Sequence, residues 1–185
     1  MAKQVLIITG DAVEALEVYY PYFRCLEEGF DTVIASPTKK TLYTVCHDFV
    51  PGVETYTEKP AYQIESHMAF ADVKPEKFDG LIIPGGRAPE YIRLNENLKP
   101  IVEHFFKAGK PVASICHGSQ VLSLVREYIQ GKQMTAYQAC RPDVEACGAV
   151  YQTNTLHVHE NIVSGHAWPD LPGFMKEFIK LLKEQ

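Results

Sequence analysis

Short runs of uninterrupted apolar residues alternate along this chain with stretches in which apolar positions recur every three or four residues. Gln4-Val-Leu-Ile-Ile-Thr9 is the first run; it has the form of a strand covered on both faces and is read as the first, central strand. Val13, Leu16, Tyr20 and Phe23 follow at helical spacing and predict one buried helical face. Pro21 kinks that helix or opens its second part, and Gly29 closes it. Thr32-Val-Ile-Ala-Ser36 is a second buried strand, so the chain opens with a βαβ unit whose right-handed crossover makes the strands parallel. From Lys40 to about Phe70 the pattern loosens, with Pro51-Gly52 and Pro60 as turns, and predicts hairpins or excursions. Phe78-Asp-Gly-Leu-Ile-Ile83 is a third strand, running into Pro84-Gly85-Gly86. Leu98, Ile101, Val102, Phe105 and Phe106 form an amphipathic helix stopped by Gly109. Pro111-Val-Ala-Ser-Ile115 is a fourth strand, leading through Cys116-His117-Gly118 into a helix with Val121, Leu122 and Val125. Met175, Phe178, Ile179 and Leu182 share one face of a last helix. The alternation predicts one α/β domain over residues 1–185, a mostly parallel sheet with helices on both sides.

Composition narrows the setting. The chain has 185 residues, 46% hydrophobic and 22% charged, which suits one globular domain and excludes disorder. No window approaches the roughly 18 apolar residues of a membrane span, and Val5 to Ile8 is too short for a secretory core, so a cytosolic protein is expected. Eighteen Lys+Arg against 23 Asp+Glu give a net charge of −5. No basic stripe is present to neutralise phosphates, and nucleic acid is not an expected partner. The five cysteines, Cys25, Cys46, Cys116, Cys140 and Cys147, contain no CxxC pair, so neither a disulfide framework nor a zinc ribbon is indicated.

In open α/β sheets ligands bind beyond the carboxyl ends of the strands, which singles out Gly10 to Glu17, Pro84 to Glu90 and Cys116-His117-Gly118. Cys116 stands where a strand turns sharply into a helix, the device of a nucleophile elbow, with Gly118 giving clearance. There its sulfur is expected to be exposed, and the helix N-terminus to lower its pKa. Cys46-His47 has the same dipeptide in a loosely patterned stretch and is read as structural, as are Cys25, Cys140 and Cys147. Candidate proton carriers are His117, Glu14 and Glu17. Glu17, between Leu16 and Val18, is expected to be partly buried with a raised pKa and is the better base. Gly85-Gly86 is either a plain turn or, with the N–H of His117, an oxyanion hole. His157 and His159 face one side of a strand without an evident third ligand, so no metal is expected, and no cofactor.

Four stretches together resemble the ThiJ/PfpI superfamily, with its class I glutamine-amidotransferase-like fold. They are Pro84-Gly-Gly-Arg-Ala-Pro-Glu90, Gly109-Lys-Pro-Val-Ala-Ser-Ile-Cys-His-Gly118, Glu14-x-x-Glu17 before Pro21, and Trp168-Pro-Asp-Leu-Pro172. The resemblance runs from about Lys3 to Lys183 and implies a flavodoxin-like three-layer αβα sandwich. It implies that Cys116 is the nucleophile, that Glu17 hydrogen-bonds its sulfur, that His117 is the adjacent acid or base, and that Gly86 and the His117 backbone form the oxyanion hole. It further implies a homo-oligomer in which Glu90 orients the histidine of a neighbouring subunit, and it matches Tyr137 to a tyrosine at the pocket edge. The Pro84 to Tyr91 run and His47-Asp-Phe49 are closest to plant glyoxalase-type members. The segment Leu42 to Phe70 is longer than in compact relatives, and His166 stands where a small polar residue is frequent, adding a second imidazole or narrowing the site.

Three functions follow from the resemblance. The first is glutathione-independent glyoxalase or deglycase chemistry on dicarbonyls such as methylglyoxal. The second is hydrolysis of peptides or amides. The third, outside catalysis, is a redox sensor or holdase built on oxidation of Cys116.

Overall fold

The computed structural model describes residues 2–185. In chain order the regular elements are β1 (Gln4–Ile8), α1 (Ala15–Glu27), β2 (Asp31–Ser36), β3 (Thr41–Asp48), β4 (Thr57–Glu65), β5 (Met68–Ala69), β6 (Gly80–Ile83), α2 (Ala88–Ile92) and α3 (Leu98–Lys107). They continue with β7 (Val112–Ile115), α4 (Ser119–Leu122), α5 (Arg126–Ile129), β8 (Gln133–Met134), α6 (Arg141–Ala146), β9 (Val150–Tyr151), β10 (Leu156–His159), β11 (Ile162–Gly165) and α7 (Leu171–Glu184). Seven strands form the main sheet in the order β10-β11-β7-β6-β1-β2-β5. All neighbours in it are parallel except the edge strand β10, which is antiparallel to β11. Helices pack on both faces, giving the expected flavodoxin-like αβα sandwich. The continuous apolar runs have their cause here: every residue of β6, β7 and β11 is buried, as are Val5 to Ile8 of β1.

Two sequence expectations are corrected. Helix α1 runs through Pro21 without a break, and its buried face is Ala15, Glu17, Val18, Pro21 and Cys25. Of the stripe expected to be buried, Leu16 (51%) and Phe23 (58%) turn out to water, Tyr20 is half-buried against the core, and Val13 is buried in the loop before the helix. The apolar pattern misled because the true inner face carries a carboxyl group and a proline. The helix expected after Cys116 is not one helix but short helical pieces, among them α4 and α5 of four residues each, joined by a 3₁₀ turn.

The loose segment 40–70 contains a hairpin that stands apart from the main sheet. Strands β3 and β4 pair antiparallel, with a register shift between Tyr43 and Val45. The hairpin is tied to the loop after β1 by Ala12 N–H to the Tyr43 carbonyl (2.7 Å), Val45 N–H to the Val13 carbonyl (2.9 Å) and Tyr43 N–H to Asp11 Oδ1 (3.0 Å). That attachment places the connection between β3 and β4 over the carboxyl ends of the strands. Among the described residues no helix is long and apolar enough to cross a membrane.

Candidate active site

Strand β7 ends at Ile115, and the next residue, Cys116, has φ of 58°. For a residue with a side chain this left-handed conformation costs on the order of 1 kcal/mol or more, and it persists only where the surroundings hold it. Two features hold it. Tyr137 N–H donates to the Cys116 carbonyl at 3.3 Å. Gly118 lies so close to the Ile83 carbonyl that a Cβ there would collide with it. Gly86, with φ of 71°, presses in the same way on the backbone of Ala12 and Glu14. The turns after β1, β6 and β7 are thereby packed backbone against backbone around one sulfur.

The sulfur is not exposed as expected: Cys116 retains only 4% of its accessible surface. Its pKa also departs from the expectation, standing well above the ordinary thiol value because burial and then the neighbouring Glu17 carboxylate disfavour the anion. The reason lies in α4, one turn long, whose dipole is too short to offset desolvation. The N–H groups of Gly86 and His117, which point at the sulfur, pull the other way and mark where negative charge is stabilised.

Glu17 is fully buried. One carboxyl oxygen, Oε2, accepts from Gly85 N–H at 2.8 Å; the other, Oε1, has no hydrogen-bond partner among the described residues, and the Cys116 side chain beside the carboxyl bears on its ionisation. Burial first, then the charge of Glu14, pushes the Glu17 pKa up to about 8, so at neutral pH it carries a proton. Glu14 is the N-cap of α1, its Oε2 accepting from Glu17 N–H at 2.9 Å, and burial raises its pKa as well. His117 Nδ1 lies 3.2 Å from the sulfur. Burial, and after it the nearby His47, lowers the His117 pKa to about 4, which leaves the imidazole neutral at pH 7, with a free nitrogen lone pair but weaker as a base than an ordinary histidine.

Gly85 seals this arrangement from behind. A Cβ on it would stand 2.6 Å from Cys116 Cβ, 2.6 Å from Glu17 Oε2 and 2.8 Å from His117 N. Gly85→Ala is therefore expected to cost about 2 kcal/mol of stability, by overpacking against atoms that have no room to move. Urea denaturation measures it, and a loss below 0.5 kcal/mol (about the scatter of surface substitutions) would mean that the three turns are less rigidly packed than described.

An aromatic roof, of which sequence reasoning names Tyr137 and His166 but not the contribution of Phe49, Tyr56 and Trp168, explains the burial of Cys116. Tyr137, itself buried, stacks on His117 with ring centroids 5.2 Å apart. Phe49, just after β3, stacks on Trp168 (5.0 Å) and reaches Tyr137 (6.2 Å). Tyr56, just before β4, meets His117 edge-on at 5.8 Å and stacks on His47 at 4.1 Å. His47, read from sequence as structural, is buried and pairs through Nε2 with Glu58 (2.9 Å). Glu58 in turn accepts three hydrogen bonds from Arg87, two from a shared Nε and one from Nη2, which, with His47, hold its carboxylate near a pKa of about 2. His166 borders the roof, 5.5 Å from Tyr137, and accepts from Gln138 N–H.

The other sequence candidates lie elsewhere. Glu90 is exposed in the first turn of α2. His157 and His159 are on the edge strand β10, and among the described residues no cluster of metal-ligating side chains forms. Cys46 is exposed, and Cys25, Cys140 and Cys147 are buried thiols.

Residues 3–181 match the DJ-1/PfpI family. A Pyrococcus abyssi protein named a deglycase is 39% identical over 180 residues, covering 97% of this chain and 99% of that protein. YraA of Bacillus subtilis, named as a candidate cysteine protease, is 31% identical over 99% of this chain and 100% of its own length. Among solved structures, a two-domain Anabaena variabilis protein with a DJ-1/ThiJ/PfpI-like and a ferritin-like domain superimposes with a TM-score of 0.84 at 27% identity. The match covers 98% of this chain and 48% of that one. Sequence and fold agree over nearly the whole length, and the chain belongs to the DJ-1/PfpI family.

Proposed function

We propose that this chain is a cysteine-dependent enzyme that converts small reactive dicarbonyls such as methylglyoxal to hydroxy acids without glutathione, deglycation being a related use of the same addition. The observation that carries the reading is Cys116 on its strained elbow, with the neutral imidazole of His117 3.2 Å from the sulfur and the protonated Glu17 behind it. The sulfur adds to the aldehyde carbon as His117 takes the thiol proton, which passes to the aldehyde oxygen to give a hemithioacetal. His117 and Glu17 then move the proton on that carbon to the neighbouring carbonyl carbon through an enediolate, leaving a thioester. Water hydrolyses the thioester to the hydroxy acid and restores the thiol. Gly86 and His117 N–H groups, aimed at the sulfur, stabilise the oxyanions that develop beside it.

Peptide hydrolysis ranks second. A nucleophile 4% exposed beneath Tyr56, Tyr137 and Phe49 offers an extended chain no groove, whereas a three-carbon aldehyde needs only side-chain movement. Redox sensing ranks third, because the raised thiol pKa suppresses the thiolate that oxidants attack. Incubating the purified chain with methylglyoxal tests the order: lactate is expected to form. Cleavage of a peptide amide without lactate would overturn it.

The active form is a homo-oligomer in this reading. Glu90 is exposed on α2, free to reach the His117 of a second copy. Leu16 and Phe23 of α1 line one apolar groove with Tyr62 of β4, 80% exposed, a surface that a second copy would cover. Mixing inactive Cys116→Ala subunits with inactive Glu90→Ala subunits is expected to restore about a quarter of parental activity. No recovery, despite demonstrated subunit exchange, would mean that each subunit works alone.

A further inference from the structure

One polar group over Cys116 has no assigned part: the hydroxyl of Tyr56. Its ring is held on three sides, stacked on His47 (4.1 Å, 29°), edge-on to His117 (5.8 Å, 88°) and edge-on to Tyr137 (5.6 Å, 66°). The residue is half-buried, and Asp48 pairs with Thr57 in the hairpin, which pins the backbone beside it. The surrounding hydrogen bonds, His47 to Glu58, Arg87 to Glu58 and Tyr151 Oη to the Ala136 carbonyl, leave the Tyr56 hydroxyl without a partner among the described residues. A phenol so fixed and so unengaged at a nucleophile is placed for something the chain itself does not supply.

We propose that Tyr56 is a substrate-contacting residue whose hydroxyl donates a hydrogen bond to the oxygen on the carbon next to the one attacked by Cys116, making the site selective for vicinal dicarbonyls. This deepens the dicarbonyl reading and rests on it. When the sulfur bonds to the aldehyde carbon, the C=O pair moves to the aldehyde oxygen, which takes the proton, and the second carbonyl accepts from Tyr56. When the proton on the first carbon leaves, its electron pair forms the C=C bond of the enediolate and the second C=O pair moves onto that oxygen. The charge then sits on the oxygen that accepts from the phenol. Burial first, then the Cys116 beside it, raises the Tyr56 pKa to about 12, so at neutral pH the group keeps the proton it donates. A simple aldehyde, with no second oxygen, gains nothing from it.

Tyr56→Phe keeps the three ring contacts and deletes the donor. In a Cys46→Ser background, which removes the exposed thiol, alkylation of Cys116 by iodoacetamide is followed by mass spectrometry against rising methylglyoxal or propanal, each of which protects the sulfur by adding to it. Tyr56→Phe is expected to raise the methylglyoxal concentration for half-protection about tenfold, to leave that for propanal within about twofold, and to lower kcat/KM for methylglyoxal by roughly 10- to 100-fold. An equal shift for both aldehydes would reduce Tyr56 to packing, and no shift for either would remove it from the site; both overturn the proposal. If the parent is protected by methylglyoxal with the expected Tyr56 dependence but forms no lactate, the contact stands and the enzymatic reading falls. Protection by neither aldehyde would overturn both.

Discussion

Cys116→Ser is expected to reduce methylglyoxal turnover by at least about 10³-fold, to the level of the uncatalysed reaction, and Cys46→Ser to leave it within about twofold. The contrast runs against solvent exposure. In the single chain Cys46 is the exposed thiol and Cys116 is almost closed off. What distinguishes Cys116 is its surroundings: the imidazole nitrogen at 3.2 Å, the two backbone N–H groups, and the φ of 58° that turns the side chain toward them. A serine hydroxyl in the same place has the geometry but lacks the acidity and polarizability on which addition to the aldehyde depends. Cys25, Cys140 and Cys147 have none of these partners, and burial drives the first two up to about 12. Serine at those three positions costs activity only as far as it costs folding. Steady-state rates of the five single variants, each with a thermal melt, make the comparison. Full activity in Cys116→Ser would remove the nucleophile from the mechanism.

The sheet was legible because burial on both faces forces strands such as Val112–Ile115 into unbroken apolar runs, and no other element of that length reads so. Cys116 was legible for a related reason: chemistry at a strand end is confined to the few residues after the run. Glu17 was singled out for its neighbours Leu16 and Val18, but only Val18 shares its burial. The inner face of α1 was not legible, because it combines Glu17 with Pro21, and a pattern that scores hydropathy assigns that face to water. The closure of the site was equally hidden. Phe49 and Tyr56 lie in a stretch with neither strand nor helix periodicity. Their contacts with Trp168 and His117 depend on how the β3–β4 hairpin folds back over the sheet, which no local signal encodes. The low thiol pKa expected from a helix N-terminus failed because the sulfur is buried beside Glu17, and the one turn of α4 does not offset that desolvation.

Glu17→Gln is expected to lower activity by about 100-fold and at the same time to stabilise the fold at neutral pH. The amide keeps an acceptor for Gly85 N–H and a donor toward the sulfur, but it cannot give up and regain a proton. Glu14→Gln, which alters the cap of α1 rather than the group facing Cys116, loses less. The stability gain follows from linkage. The unfolded chain ionises Glu17 near 4.5 and the folded chain near 8, so between those values the folded state holds the extra proton and stability falls as pH rises. By pH 7 the cumulative penalty is about 3 kcal/mol, which a glutamine does not incur, whereas near pH 4 both carboxyls are protonated and the substitution is close to neutral. The depressed His117 pKa destabilises the parent and the variant alike in acid, so it cancels from the difference. Urea denaturation of both proteins at pH 4 and pH 7 isolates the Glu17 contribution. The same titration shapes catalysis: parental kcat/KM falls above about pH 8, where Glu17 loses its proton, and the alkaline limb is absent in Glu17→Gln. A variant no more stabilised at pH 7 than at pH 4 would mean that Glu17 is already an anion in the folded chain. Its charge would then oppose every thiolate formed at Cys116, and proton donation to the sulfur would have to come from His117 alone.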